Sequence, residues 1–352
     1  MPARSVAPRR HTRWAGLLAA AFGAGLFVYI VNHTRPEPIV AGLRSVGWGF
    51  LAVIFLSGAR VLARATAWRL CTEGDELRVR DTFPAFLTGE ALGNLTPLGL
   101  FVSEPTKAVF VRHRVPLMTA VSGLAIENIL YTLSVAVVIA AGTVALLFSF
   151  TVSPTVRIAS FVALGGMLLL LAIAAWVLGR QVRFVSGLLD LLHRYQLAPT
   201  ALAHRLEKLR ALEARVYNFR QRQPGRLLPV LALETAYHAA GVAEVWVIVA
   251  CLVGPPSLLA AFVLETANRA TNVIFKFVPM RLGVDEAGTE WLTSALGYAS
   301  ATGVTLAIVR KMRVAFWTAI GVLILTLRGL RRDEVVAIAL DAAAADQQPA
   351  AR

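Results

Sequence analysis

Glu104 and Glu286 each close a short stretch that opens on proline and contains glycine. The two stretches are Pro97-Leu-Gly-Leu-Phe-Val-Ser-Glu104 and Pro279-Met-Arg-Leu-Gly-Val-Asp-Glu286, set 182 positions apart. The same offset lays Leu124-Ala125-Ile126 over Leu306-Ala307-Ile308 without a gap. Polar residues gather around both: Glu90, Asn94 and Lys107 near the first, and Glu265, Asn268, Arg269, Asn272, Lys276, Arg281, Gly283 and Asp285 near the second. In apolar surroundings, carboxylates and cations of this kind can grip a charged headgroup or ion, or carry protons.

Further ionisable groups lie at helical spacing on apolar segments. Ser57, Arg60 and Arg64 share one face; Glu127, Tyr131 and Ser134 share another, with Asn128 beside them. Glu234, His238 and Gly241 form a stripe with Glu244 some way around, and Arg310 and Arg313 share a face with Lys311 adjacent. Each such charge costs about 2.5–3.5 kcal/mol to place in a bilayer, so it needs a partner or a wet path. The plainer alternative is that these groups snorkel to the headgroups or form static ion pairs. For His238 it is that of a satisfied core histidine.

Catalytic signatures are missing. There is no His-Glu-x-x-His, no phosphate-cradling glycine loop with Lys and Ser/Thr, and no Gly-x-Ser-x-Gly elbow. The six histidines are scattered, and Asp285 next to Glu286 is a weak metal signal. The expectation is no enzyme, no metal and no cofactor. Cys71 and Cys251 read as packing residues.

The elements that would position these residues are apolar helices. At 57% hydrophobic and 16% charged, the chain is too apolar to hide in one soluble core. Its formal charge of +14 falls between apolar spans, which fits membrane orientation and anionic headgroups and excludes a nucleic-acid partner. Candidate spans of roughly 20 residues or more are Trp14–Val31, Trp48–Leu70, Leu117–Phe148, Val156–Leu178, Leu227–Val253 and Thr302–Leu327. Trp14–Val31 reads as an uncleaved first helix behind its arginines. Phe83–Val102 and Leu258–Pro279 are apolar but interrupted by polar residues and proline, so both are expected to be re-entrant helical hairpins. The fold class is therefore an all-α polytopic membrane protein with about six transmembrane helices and two re-entrant hairpins in an inverted repeat.

Residues 1–40 form a basic segment and first helix; 41–178 and 227–330 are the two membrane repeats, with hairpins at 83–104 and 258–286. Between them, 179–226 is a basic cytoplasmic loop whose stretch Pro199–Arg220 reads as an amphipathic helix. Residues 331–352 read as a disordered tail. Arginine-rich termini and loop place both termini in the cytoplasm, the first hairpin entering from inside and the second from outside.

Asn94-x-x-Pro97, Glu104-Pro105-x-Lys107, the Ala125-Ile126-Glu127-Asn128 helix and Pro279 to Glu286 together resemble the flippase-like transmembrane domain of lysylphosphatidylglycerol synthases, whose stand-alone and hopanoid-associated members share it. The resemblance runs over about residues 40–330 and implies a bacterial inner-membrane protein that moves lipids between leaflets. That family usually has Gly-Glu and then Arg at the first hairpin exit, where this chain has Ser103 before Glu104, and Lys107. Lysine keeps the charge but lacks the planar fork that holds phosphate bidentately. Neither the central loop nor the sequence after the last span is long enough for an aminoacyl-transferase domain, which the expectation therefore leaves out.

The expected function is lipid translocation through a polar cavity between the two hairpins. Its path is formed by Arg60, Arg64, Glu90, Asn94, Pro97, Glu104, Lys107, Glu127, Asn128, Glu265, Asn268, Arg269, Asn272, Lys276, Pro279, Arg281, Gly283, Asp285, Glu286, Arg310 and Arg313. Expected partners are membrane lipids, whether anionic phospholipid, hopanoid or polyprenyl-linked, with a second copy or a lipid-synthesis enzyme also open. The alternatives are an intramembrane enzyme on a lipid substrate and a scaffold whose basic loop recruits a synthase.

Overall fold

The computed structural model describes residues 36–74, 76–96, 99–180, 214–219, 221–275 and 283–327. The expected first span, the central helix up to residue 213, the tail, Pro97, Lys276, Pro279 and Arg281 lie outside the described residues. Within them the chain is helical, with no strand. The named helices are α1 (Pro36–Val46), α2 (Gly49–Cys71), α3 (Val79–Leu95), α4 (Leu100–Phe110), α5 (Leu117–Ser149), α6 (Pro154–Arg180), α7 (Pro224–Val253), α8 (Leu258–Ile274), α9 (Val284–Ala295) and α10 (Ser300–Leu327). α2, α5, α7 and the Pro154–Val177 part of α6 are long and apolar enough to cross a membrane. α10 has the length but carries Arg310, Lys311 and Arg313 at its middle.

The 182-residue offset carries α2 onto α7, α3 onto α8, α4 onto α9 and α5 onto α10. Packing obeys the same exchange. α3 rests on α10 as α8 rests on α5, and α2 on α3 as α7 on α8. α1 covers Ile308 through Ile39, while the helical segment 214–219 covers its counterpart Ile126 through Phe219 and Val216. α2 and α7 form the central pair. Gly49 abuts Cys251 at one end, Arg60 meets Glu244 in the middle, and Arg226 reaches the carbonyls of Leu70 and Thr72 at the other. Two equivalent helices thus run antiparallel, and the halves are related by a pseudo-two-fold axis across them.

Each half contains a helical hairpin. In the first, Gly89 faces Lys107 and Ser103, and Gly93 faces Ser103 and Gly99, so α3 and α4 run antiparallel in contact. Asp81 at its start lies 3.5 Å from Arg114 at its end, so chain enters and leaves at one end of the bundle. In the second, Gly288 on α9 meets Thr271 on α8, which matches the first contact with the small residue moved to the other helix. The first hairpin is longer than 83–104. Asp81 accepts a hydrogen bond from the Arg78 backbone N–H, and this cap holds the polar turn Val79-Arg80-Asp81 in the helix, which apolar averaging leaves out. α8 starts where expected, capped by Ser257, but α9 continues to Ala295. Gly283, at φ 78°, supplies the left-handed turn into α9.

In lipid the hydrophobic effect does little to drive helices together, so small residues and satisfied polar groups must hold the bundle. Thr66, Thr72, Thr96, Thr106, Ser122 and Thr143 return their hydroxyls to carbonyls four residues back. Gly321 lets α10 lie directly on the Leu87 carbonyl of α3, and Gly142 lets α5 lie on Thr266 of α8. Gly321→Ala must push backbone from backbone. It is expected to cost about 1–3 kcal/mol, seen as a lower thermal unfolding midpoint in detergent. A midpoint equal to that of the unsubstituted protein sinks the close-packing account.

Candidate functional site

The central helix pair carries the charge. Arg64 on α2 grips Glu127 on α5 with two bonds, Nε to Oε1 at 2.7 Å and NH2 to Oε2 at 2.9 Å, and also donates to Asn128 at 3.1 Å. Its guanidinium lies 3.8 Å above the Tyr131 ring and 5.3 Å from that of Phe86. Such a bidentate, stacked arginine is geometrically fixed. Asn128 then donates to Glu104 at 2.9 Å, and Glu104 and Glu90 both accept from the fully buried Lys107 at 2.9 and 2.8 Å. Gly89 makes room for that lysine: a methyl there would stand 2.5 Å from its Cγ.

One turn earlier on α2, Arg60 bonds Glu244 of α7 at 2.9 Å, and Glu244 also accepts from Arg313 of α10 at 2.6 Å. Glu265 on α8 is held by Arg269 at 2.7–2.9 Å and Arg310 at 3.0 Å, with Arg60 at 3.7 Å. Gly241 on α7 admits that carboxylate, since a Cβ would lie 2.5 Å from its oxygen. Tyr237 joins the parts. Its hydroxyl accepts from Arg269 at 2.8 Å and Arg60 at 3.3 Å, and its ring lies under both guanidinium groups. A third cluster pairs Lys311 with Asp285 at 3.2 Å and Glu286 at 3.4 Å.

A cavity of about 160 Å³ opens between α2, α3, α7 and α10. Arg60, Arg64 and Arg313 line it, together with Glu90, Asn94, Tyr237 and Trp317. At about 30 Å³ per water it holds about five waters, or one compact polar headgroup. Trp317 is fixed by donating to Ser57 at 2.8 Å, and Asn94 by donating to Thr318 at 3.1 Å.

The expected cavity between the two hairpins is corrected on this point. Among the described residues its walls are the central pair, the first hairpin's α3 and the last helix, and no residue of α8 or α9 lines it. The physical reason is charge pairing: Glu265 and Arg269 turn into the α5–α7–α10 core, and Asp285 and Glu286 turn to Lys311. Glu104, Lys107, Glu127, Asn128, Glu265, Arg269 and Arg310 stand behind the wall in the two networks. Asn268 and Asn272 are half-buried on α8 and belong to neither. Gly283 acts through the backbone. Tyr237, Trp317 and Phe86 were missed as site residues, as was Glu244, which sits apart from the Glu234–His238 stripe but faces Arg60. Their signal was only adjacency to charged positions on the same helices.

Ser134 and His238 lie 3.0 Å apart, the spacing of a nucleophile and its base. The same hydroxyl also lies 2.8 Å from the Tyr131 carbonyl, which competes for its proton. Among the described residues no group of three or more His, Cys, Asp or Glu could hold a metal.

Comparison with curated proteins and with solved structures gives no match. Comparison with protein-family models gives one, described as the lysylphosphatidylglycerol synthase TM region, over residues 14–339. With that match spanning nearly the whole chain and four helices apolar enough for a bilayer, the chain belongs to the lysylphosphatidylglycerol synthase TM region family, membrane proteins tied to lipid metabolism.

Proposed function

We propose that the protein moves an anionic lipid, chemically unchanged, between the leaflets of a bacterial inner membrane. The observation that carries this reading is a cavity with three arginines in its wall, two of them held by a shared carboxylate and the third by its own. A phosphate-bearing headgroup meets planar guanidinium groups there, while its chains stay in the hydrocarbon. Phosphatidylglycerol derivatives and polyprenyl-phosphate-linked lipids share that chemistry.

The pairings suit a passage that is filled and emptied. Glu244 and Glu127 compensate the arginines in the unloaded bundle, and an arriving anion competes for the same donors. In this reading the chain crosses six times, through Trp14–Val31, α2, α5, α6, α7 and α10. The two hairpins are re-entrant: α4 and α9, at 11 and 12 residues, reach only about 16–18 Å against a hydrocarbon core of about 30 Å. Arg69, Arg78, Arg80 and Arg226 ring a hollow at one end of the bundle, with Arg114 and Arg222 near it. By the positive-inside bias that end is cytoplasmic, along with both termini. The antiparallel halves then face opposite leaflets, which is the arrangement that supports alternating access.

The test is reconstitution into liposomes containing phosphatidylglycerol with a fluorescent acyl-chain tag near the headgroup, followed by a membrane-impermeant quencher. Faster loss of the inner-leaflet fraction than in protein-free vesicles is the expected result. A protected fraction that stays at the protein-free level, for phosphatidylglycerol and for the lipid that copurifies in native mass spectrometry, rejects translocation. A chemically altered lipid in the same vesicles would favour an enzyme instead.

A further inference from the structure

Glu234, on α7, is 1% exposed, and among the described residues neither of its carboxyl oxygens has a hydrogen-bond partner. Among the described residues the other interior carboxylates have cations: Glu127 has Arg64, Glu244 has Arg60 and Arg313, and Glu265 has Arg269 and Arg310, while Glu286, whose oxygens also lack a hydrogen-bond partner, has Lys311 at 3.4 Å. A lone ionised carboxylate in such a place is far too costly to persist, and taking up a proton removes the cost.

One turn along α7, His238 has a matching vacancy. His238 Nε2 lies 3.0 Å from the Ser134 hydroxyl, and its Nδ1 has no hydrogen-bond partner among the described residues; in the tautomer with the proton on Nε2, Nδ1 presents a lone pair. Residues four apart on a helix have Cβ atoms about 5–6 Å apart, a gap that one water or a change of rotamer spans. We propose that Glu234 is a proton-binding site in the membrane interior and His238 the group that exchanges its proton. The Glu234 O–H breaks, its proton bonds to His238 Nδ1, and a carboxylate and an imidazolium result. The neighbours set when this happens. Arg64 from α2, Glu127 from α5 and Arg269 from α8 act on Glu234, with the Cys71 thiol nearby on α2, and Glu265, Arg269, Arg60 and Arg64 act on His238. Drawing Arg64 towards an anion in the cavity leaves Glu127 uncompensated, so the proton on Glu234 is held more firmly while the anion is bound. Coupling of the proton to lipid movement rests on the translocation reading; proton binding does not.

The experiment is infrared difference spectroscopy of the purified protein in detergent, titrated across neutral pH. The expected result is a protonated-carboxyl carbonyl band at neutral pH that Glu234→Gln removes and Glu104→Gln leaves. A spectrum without that band in the unsubstituted protein, or one in which Glu234→Gln retains it, overturns the proposal. Folding supplies a second readout. Glutamine mimics the neutral acid, so Glu234→Gln is expected to keep the thermal midpoint of the unsubstituted protein, and a fall as large as that of Glu127→Gln contradicts a neutral Glu234. Neither measurement involves lipid transfer, so failure of the translocation assay leaves the proton site standing, and the converse also holds.

Discussion

Glu265→Gln is expected to destabilise the protein by about 3–5 kcal/mol, the cost of breaking a buried ion pair from one side. Glu265 is nearly inaccessible and accepts from Arg269 and Arg310, with a third arginine, Arg60, at 3.7 Å. Glutamine retains the shape and one carbonyl but removes the charge that lets these cations sit together on α2, α8 and α10. Around this point five arginines (60, 64, 269, 310 and 313) already face three carboxylates (127, 244 and 265), and Tyr237 offsets the excess only through its hydroxyl and ring. The contrasting variant is Glu104→Gln. Glu104 is 25% exposed at its side chain, and Lys107 keeps Glu90 at 2.8 Å, so a much smaller loss is expected. Thermal unfolding of both variants in one detergent decides the matter. Equal midpoints would mean that the α8 network does not hold the bundle together. Removing a cation as well, in Glu265→Gln with Arg310→Met, is expected to recover part of the loss, because the two sites share one interaction.

The repeat was legible because an unbroken offset survives in the sequence, and it maps four helices onto four. Apolar length picked out α2, α5, α7 and most of α6, since the bilayer imposes it. Arg60 and Arg64 were legible as a face of α2 because four-residue spacing puts them there whatever packs against it. Their partners were not. Arg60 meets Glu244 and Arg64 meets Glu127 only because α2 runs antiparallel to α7 and beside α5, and no local pattern encodes that packing. For the same reason Tyr237 escaped notice: a lone tyrosine on an apolar helix reads as packing until three arginines are seen to converge on it and on Tyr131. The acids singled out at the ends of the two hairpin segments turn to lysines. Glu104 faces Lys107, and Glu286 faces Lys311. The repeat thus preserves a position, an acid after a helix break, more faithfully than it preserves contact with the cavity.

Arg313→Gln is expected to slow lipid transfer by roughly ten- to a hundredfold while leaving the protein folded. The magnitude follows from losing one charge-assisted hydrogen bond to an anionic headgroup, about 1.5–3 kcal/mol at 1.4 kcal/mol per factor of ten. Arg313 suits this test better than its neighbours because of what it leaves behind. Without it, buried Glu244 still has Arg60 at 2.9 Å, so no carboxylate is stranded. Arg64→Gln would strand Glu127, which has no exposed surface, and Arg60→Gln would weaken Glu244 and Glu265 together; in both, lost transfer could simply reflect lost structure. Arg313→Lys keeps the charge without the fork, so its transfer rate should fall between those of arginine and glutamine if two phosphate oxygens are gripped at once. Were Arg313→Gln to unfold at the midpoint of the unsubstituted protein and still move lipid at full rate, the arginine-lined cavity would not be the path, and the passage would have to run elsewhere in the bundle.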